Sequence, residues 1–193
     1  FVLHPHKKIS EVQRKLMTTF EENNVYNLAI EGNFDDCQKL VKSMFIDQSF
    51  NNEIGVPLTI LSSLPETEYL VIEMGARGIG HIRTLCEIAN PKIGVVTCIG
   101  IAHSEFFGGI SQTIQAKGEL VEHLEIDGLA VLNNDDDNVR DLRNRTSAEI
   151  LTYGCGSGDV VAENITIGSD LKPRFTLRSP WGNSELNLNT TGA

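Results

Sequence analysis

Glu73 ends the apolar run YLVIE and is followed at once by MGARGIGHI. His103 follows VVTCIGIA, and Asn133, with Asp135 and Asp136 behind it, closes GLAVLNN. Lys117 lies in QAKGEL, between those last two runs. A carboxylate is costly to bury without a partner, so Glu73 either emerges at a loop or meets something positive. A carboxylate and an imidazole both ligate divalent cations, and Mg²⁺ typically takes one or two protein carboxylates plus waters and phosphate oxygens. A lysine ammonium repels a metal but pairs with phosphate. Reaction with CO₂ would turn it into a carbamate and reverse its charge. Each residue also has a plainer reading. Glu73 can pair with Arg77, His103 can be a satisfied loop histidine, and Lys117 a solvated helix residue. The run Asp135 to Asp137 reads as a helix-start cluster favoured by the helix dipole.

These residues need elements to position them. Apolar spacing at Ile9, Val12, Leu16 and Phe20 predicts a helix over 7–23. VYNLAIE reads as a strand, GNF as a turn and DDCQKLVKSMF as a helix with acids in its first turn. SFNNEIGVPLTILSSL is a loop entering a helix. EYLVIEM is a buried strand, GIGHIRTLCEIA a helix, and PKIGVVTCIG a strand. ISQTIQAKGELVEHL is a helix, GLAVLNN a strand, DDDNVRDLRNRT a short helix, and AEILTYG another strand. Apolar strands alternating with amphipathic helices predict an α/β domain, a mostly parallel sheet flanked by helices. After Gly154 the polar–apolar alternation of DVVAENITIGSD, KPRFTLRSP and SELNLNT predicts a small antiparallel β segment. The expected division is an α/β core over 1–154 and an antiparallel segment of the same domain over 155–193. In open α/β sheets ligands gather at the carboxyl ends of the strands, where Glu73, His103 and Asn133 all fall.

The bulk numbers exclude several functions. The chain has 193 residues and a formal net charge of −10, without the basic stripes of a nucleic-acid surface. No apolar run reaches membrane-spanning length, and no segment has the order of a secretion signal, so a cytoplasmic protein is expected. Cys37, Cys86, Cys98 and Cys155 form no CxxC pair and read as reduced thiols. The acids at 135–137 break the spacing of an EF-hand loop at Val139. His4 and His6 have no nearby cysteine partners for zinc, and no GxSxG elbow marks a serine hydrolase.

The stretches FNNEIGVPLTIL, YLVIEMGARGIGHI, VVTCIGIAHSEFFG, AKGELVE and GLAVLNNDD occur in this order. Together they resemble the central, P-loop-like domain of the Mur ligases, from about Ser49 to Tyr153. The type most resembled adds D-alanyl-D-alanine to a UDP-N-acetylmuramoyl-tripeptide in peptidoglycan precursor synthesis. The resemblance implies binding of ATP and Mg²⁺. It implies that Glu73 and His103 hold Mg²⁺. Lys117 would be a carbamylated catalytic lysine that helps bind a second Mg²⁺. Gly32, Asn51, Asn52 and Asn133 would line the nucleotide and phosphate side of the cleft. Glu73 is then a buried strand-end acid whose partner is a metal ion. The family's UDP-binding and C-terminal domains are expected outside this chain, which alone is expected to be inactive.

The chain departs from the family at one place. There the family has a strand, a GxxGKT phosphate loop and a helix. The glycines let backbone N–H groups cradle phosphates, and the lysine reaches them directly. This chain has LAIEGNFDDCQKLV, with Gly32 in the place of the first glycine and no Gly-Lys pair anywhere. The second glycine is gone, Asp35 and Asp36 stand near where the lysine and threonine belong, and carboxylates repel triphosphate. Two functions therefore stay open: the ATP- and Mg²⁺-binding domain of an amide ligase, or a non-catalytic scaffold or regulatory module that has lost ATP binding.

Overall fold

The computed structural model describes residues 2–3, 51–63, 67–100 and 109–189. The expected helix over 7–23, the strand VYNLAIE, the helix DDCQKLVKSMF, and the site candidates Gly32 and His103 lie outside them. The described elements are β1 (Val2–Leu3), α1 (Gly55–Leu61), β2 (Val71–Ile72), α2 (His81–Ala89) and β3 (Ile93–Val96). They continue with α3 (Ile110–His123), β4 (Leu129–Asn133), α4 (Asp137–Arg140) and a 3₁₀ turn (Asp141–Arg145). Four strands close the order: β5 (Glu149–Gly154), β6 (Val160–Ile167), β7 (Pro173–Ser179) and β8 (Gly182–Asn187).

All eight strands form one sheet in the order β2-β1-β3-β4-β5-β6-β7-β8. Strands β3 to β6 pair in parallel. β1 is antiparallel to both β2 and β3, so β2 runs in the direction of the parallel set. β7 and β8 are antiparallel additions. The expected α/β sheet with an antiparallel C-terminal end is therefore present. The junction differs from the expectation in one respect: β6 first pairs in parallel with β5, through Tyr153–Val160 and Gly154–Val161, before turning back against β7. β6, β7 and β8 form an antiparallel run that extends the α/β sheet. EYLVIEM gives only the two-residue β2, and DDDNVRDLRNRT splits into one α turn and one 3₁₀ turn.

Burial follows the sequence periods. In β4, Ala130 and Leu132 are fully buried while Leu129, Val131 and Asn133 are half-buried, the two-residue alternation of a strand. Helix α2 buries Ile82, Leu85, Cys86, Ile88 and Ala89, one helical face. Asn90 ends it in the left-handed region at φ 46°, its N–H donating to the Cys86 carbonyl at 2.7 Å, a common helix stop. Burial pushes the Cys86 thiol up to about 12, so it stays neutral and inert. Gly118 in α3 is required by a close approach. The Arg145 guanidinium occupies the space a Cβ would need and donates to the carbonyls of Ile114 and Gln115 at 2.9 and 3.3 Å.

Two carboxylates hold elements together. Glu119 of α3 is 2% exposed. It accepts from the backbone N–H groups of Gly80 and Arg83 at 2.5 and 3.0 Å. It therefore caps the start of α2 from another helix, where the helix dipole favours an anion. Asp159 accepts from the Thr152 N–H and hydroxyl at 2.8 and 2.7 Å, closing the turn between β5 and β6. The Thr152 hydroxyl and N–H hold the Asp159 carboxyl below its ordinary 3.8.

Replacing Glu119 by Ala leaves two helix N–H groups without a partner. Glu119→Ala should lower unfolding free energy by about 2–3 kcal/mol, read from the urea midpoint, with Glu119→Gln losing less. Asp159 has the sign of a depressed carboxyl. Its contribution is in full force above the unfolded value and is lost as pH falls through the folded value. The stability gap between the unaltered chain and Asp159→Asn should therefore be constant at neutral pH and shrink below about pH 4, followed by urea unfolding across pH.

Candidate functional site

The register of β3 on β4 and of β4 on β5 brings the carboxyl ends of these strands side by side. Asn133 ends β4, and its amide donates to the Thr97 carbonyl just past β3 at 2.8 Å. Its Oδ1 accepts from the Asp135 N–H at 2.9 Å. Asp136 then caps α4, accepting from the N–H groups of Asn138 and Val139, and also accepts from the Ile99 N–H at 2.8 Å. The helix-start reading of the acidic run is correct for Asp136, the cap, and for Asp137, the acid of the first turn, which also pairs with Arg140 at 2.6 Å. Asp135 instead accepts from the Cys155 N–H at 2.6 Å. Both polar ends of the Asn133 side chain are used within the protein, tying two strand ends together.

A cavity of about 220 Å³ opens beside this junction, lined by Glu73, Met74, Ile82, Val95, Val96, Thr97, Cys98, Lys117 and Leu120. Two of the sequence candidates, Glu73 and Lys117, thus face one space. Lys117 reaches across from α3 and donates to the Cys98 carbonyl at 2.7 Å. Glu73 follows the short β2, and its Oε1 accepts from the Asn51 amide at 2.9 Å. The backbone repeats this link, with the Gly75 N–H donating to the Asn51 carbonyl at 2.6 Å. Gly75 has no room for a side chain, since a Cβ would stand 2.8 Å from the Asn51 Cγ.

One expectation is corrected. Glu73 is exposed, not buried. β2 is only two residues long, so the chain has left the sheet before the carboxylate, which stands in the mouth of the cavity. Asn52, expected on the phosphate side, instead accepts from the N–H groups of Ile54 and Gly55 at 3.1 and 2.9 Å and starts α1. Among the described residues no group of three or more His, Cys, Asp or Glu side chains is placed to hold a metal, and His103 and Gly32 lie outside them. The residue that sequence reasoning missed is Glu119. Its position on the inner face of the α3 pattern was the available signal.

The chain is an open α/β domain with polar groups collected at the carboxyl ends of its strands, where ligands of such sheets gather. The Mur ligase middle domain model matches residues 9–193, and the chain belongs to that family. It is 39% identical over 145 residues to the UDP-N-acetylmuramoyl-tripeptide–D-alanyl-D-alanine ligase of Mycobacterium tuberculosis, covering 75% of this chain and 28% of that protein. The chain thus spans under a third of the length of that relative. Its fold matches MurF from Acinetobacter baumannii with a TM-score of 0.69 at 33% identity, over 76% of this chain and 32% of that one. MurF ligase from Thermotoga maritima, solved in complex with ADP, matches at 0.61 and 27% identity, over 76% and 33%. A different relative matches a short stretch: threonine synthase of Pseudomonas aeruginosa is 60% identical over 50 residues, 26% of this chain and 11% of that protein. No helix among the described residues is long and apolar enough to cross a membrane.

The tight seat of Asn51 on Gly75 should appear in a double-mutant cycle. Gly75→Ala alone should cost about 1–3 kcal/mol through overpacking. In an Asn51→Ala background the same change should cost less than about 1 kcal/mol, because the crowding atoms are gone. Urea midpoints of the four proteins measure both steps.

Proposed function

We propose that this chain is the middle domain of an ATP-dependent amide ligase, one that adds D-alanyl-D-alanine to a UDP-N-acetylmuramoyl-tripeptide in cytoplasmic peptidoglycan precursor synthesis. The observation that carries this reading is that Glu73, held by the Asn51 amide, and Lys117 line one strand-end cavity, in a chain with the family's motifs in order. In such a ligase ATP supplies the phosphoryl group that activates the peptide carboxylate for attack by the amine, and Mg²⁺ offsets the charge of that transfer.

The donor set fits Mg²⁺. Glu73 presents an exposed carboxylate, steadied by the Asn51 amide on one oxygen, and Mg²⁺ is commonly satisfied by one or two carboxylates with water completing its shell. Glu73 would hold it together with His103. Lys117, already pinned to the strand end through the Cys98 carbonyl, would serve a second Mg²⁺ as its carbamate or pair with phosphate as an ammonium. Asn133 would act by fixing the spacing of the β3 and β4 ends. The ATP phosphates do not fit as well, since the stretch that should cradle them carries Asp35 and Asp36. That feature favours a second reading, a ligase-like scaffold or regulatory module without nucleotide chemistry.

Mn²⁺ titration followed by electron paramagnetic resonance separates the two. Under the ligase reading the unaltered chain binds Mn²⁺, Mg²⁺ competes, and Glu73→Ala weakens binding by at least about tenfold. Equal binding by Glu73→Ala, or no binding by the unaltered chain, refutes the metal role and leaves the scaffold reading.

A further inference from the structure

The missing phosphate loop and the short match to threonine synthase have one explanation. The Mycobacterium tuberculosis ligase matches 145 residues of this chain and the threonine synthase 50. The two lengths add up to about the 193 residues of the chain. The ligase motifs begin at Phe50 and run to Asp136. Downstream, β5 and β6 continue the same parallel sheet. The stretch without a ligase motif upstream of these is residues 1 to about 49. Identity is 60% over the shorter match and 39% over the longer one. A loop decaying by point substitution inside a ligase would stay most similar to ligases. It would not rise to 60% identity with an enzyme of another name.

We propose that residues 1 to about 50 are a block of different ancestry, joined near Ser49–Asn51 to a ligase middle domain, and that the phosphate loop was replaced rather than worn away. On this account Asp35 and Asp36 are not altered phosphate-loop residues. They are ordinary residues of the other sequence. The family model does extend back to residue 9. The front block has, in sequence, an apolar run VYNLAIE, the glycine-containing GNF and the acid-led DDCQKLVKSMF. That order is common to many α/β proteins and does not require shared ancestry.

β1, the described part of the front block, pairs with β2 and with β3. β1 also runs against its neighbours, in the part of the sheet where β2 and β3 share a direction. The Asn51–Glu73 and Asn51–Gly75 contacts lie just on the ligase side of the join and are intact.

The inference rests on membership of the ligase family but not on the metal role of Glu73, so its test uses nucleotide. Two variants of the full chain are compared by equilibrium dialysis against Mg·ADP, after each is shown to unfold cooperatively on heating. The first, Asp35→Gly with Asp36→Lys and Cys37→Thr, rebuilds GxxGKT on Gly32 in place. The second exchanges residues 1–50 for the opening segment of the Mycobacterium tuberculosis ligase middle domain. The expected result is that the exchanged chain binds Mg·ADP at least about tenfold tighter than the unaltered chain, while the three-residue rebuild gains nothing. A gain by the rebuild means the loop decayed in place and overturns the inference. A folded exchange variant that fails to bind overturns it as well.

Discussion

The glycine-rich turn from Glu73 to Gly80 is fixed at both ends by groups remote in sequence, and the site depends on this. At its start the Gly75 N–H donates to the Asn51 carbonyl, and the Asn51 amide holds the Glu73 carboxylate. At its end the Gly80 N–H donates to Glu119, a buried acid on α3. A turn tethered at one end only would let the carboxylate sweep through solvent. With both ends held, Glu73 stands at the cavity that Lys117 also lines. Because Glu119 and Lys117 are two residues apart on α3, the same helix that anchors the turn also presents the lysine. Moving α3 would disturb the tether and the cation together.

Much of this arrangement was legible in the sequence. The apolar runs of β3 and β4 and the face of α2 carry strong periods, and burial is what those periods report. Asp136 as a helix-start acid was legible because capping is local: it needs only the residues that follow it. What escaped was set by distance and direction. Glu119 caps a helix 36 residues upstream through Arg83, and no local pattern announces a cap supplied from another element. Glu73 was expected buried because the apolar run before it is long. Yet only Val71 and Ile72 form strand, and Val71 is itself 56% exposed. An apolar run gives composition, but the neighbours on either side decide where pairing stops. Asn52 and Asn133 were expected on the nucleotide and phosphate side; in the structure the Asn52 Oδ1 and both ends of the Asn133 side chain bond to backbone. An asparagine serves either task equally well, so its presence in a matching motif does not choose between them.

The two kinds of group fall in different lengths of chain. Glu73 and Lys117, which line the cavity, lie among the ligase motifs. The carboxylates that oppose phosphate, Asp35 and Asp36, belong to the front block. These demands differ physically. A cation site needs a few oxygen donors held near one another, which the strand ends supply. A triphosphate grip needs a concave run of N–H groups at a helix start, which only a dedicated glycine loop provides. The first can survive exchange of a neighbouring segment. The second vanishes with the segment that encodes it.

The same distinction explains why a well-formed sheet can outlast the loss of its opening segment. The buried side chains that hold the described part together include Val56, Ile72, Leu85, Leu120, Leu132 and Val139. The parallel pairings from β3 to β6 join the strands they pack against. Ligand affinity in such a sheet instead collects at strand ends, where each loop contributes separately. Fold and function are thus encoded in different lengths of chain. The fold comes from a dispersed apolar pattern that tolerates a foreign neighbour. The nucleotide site comes from six consecutive residues that do not.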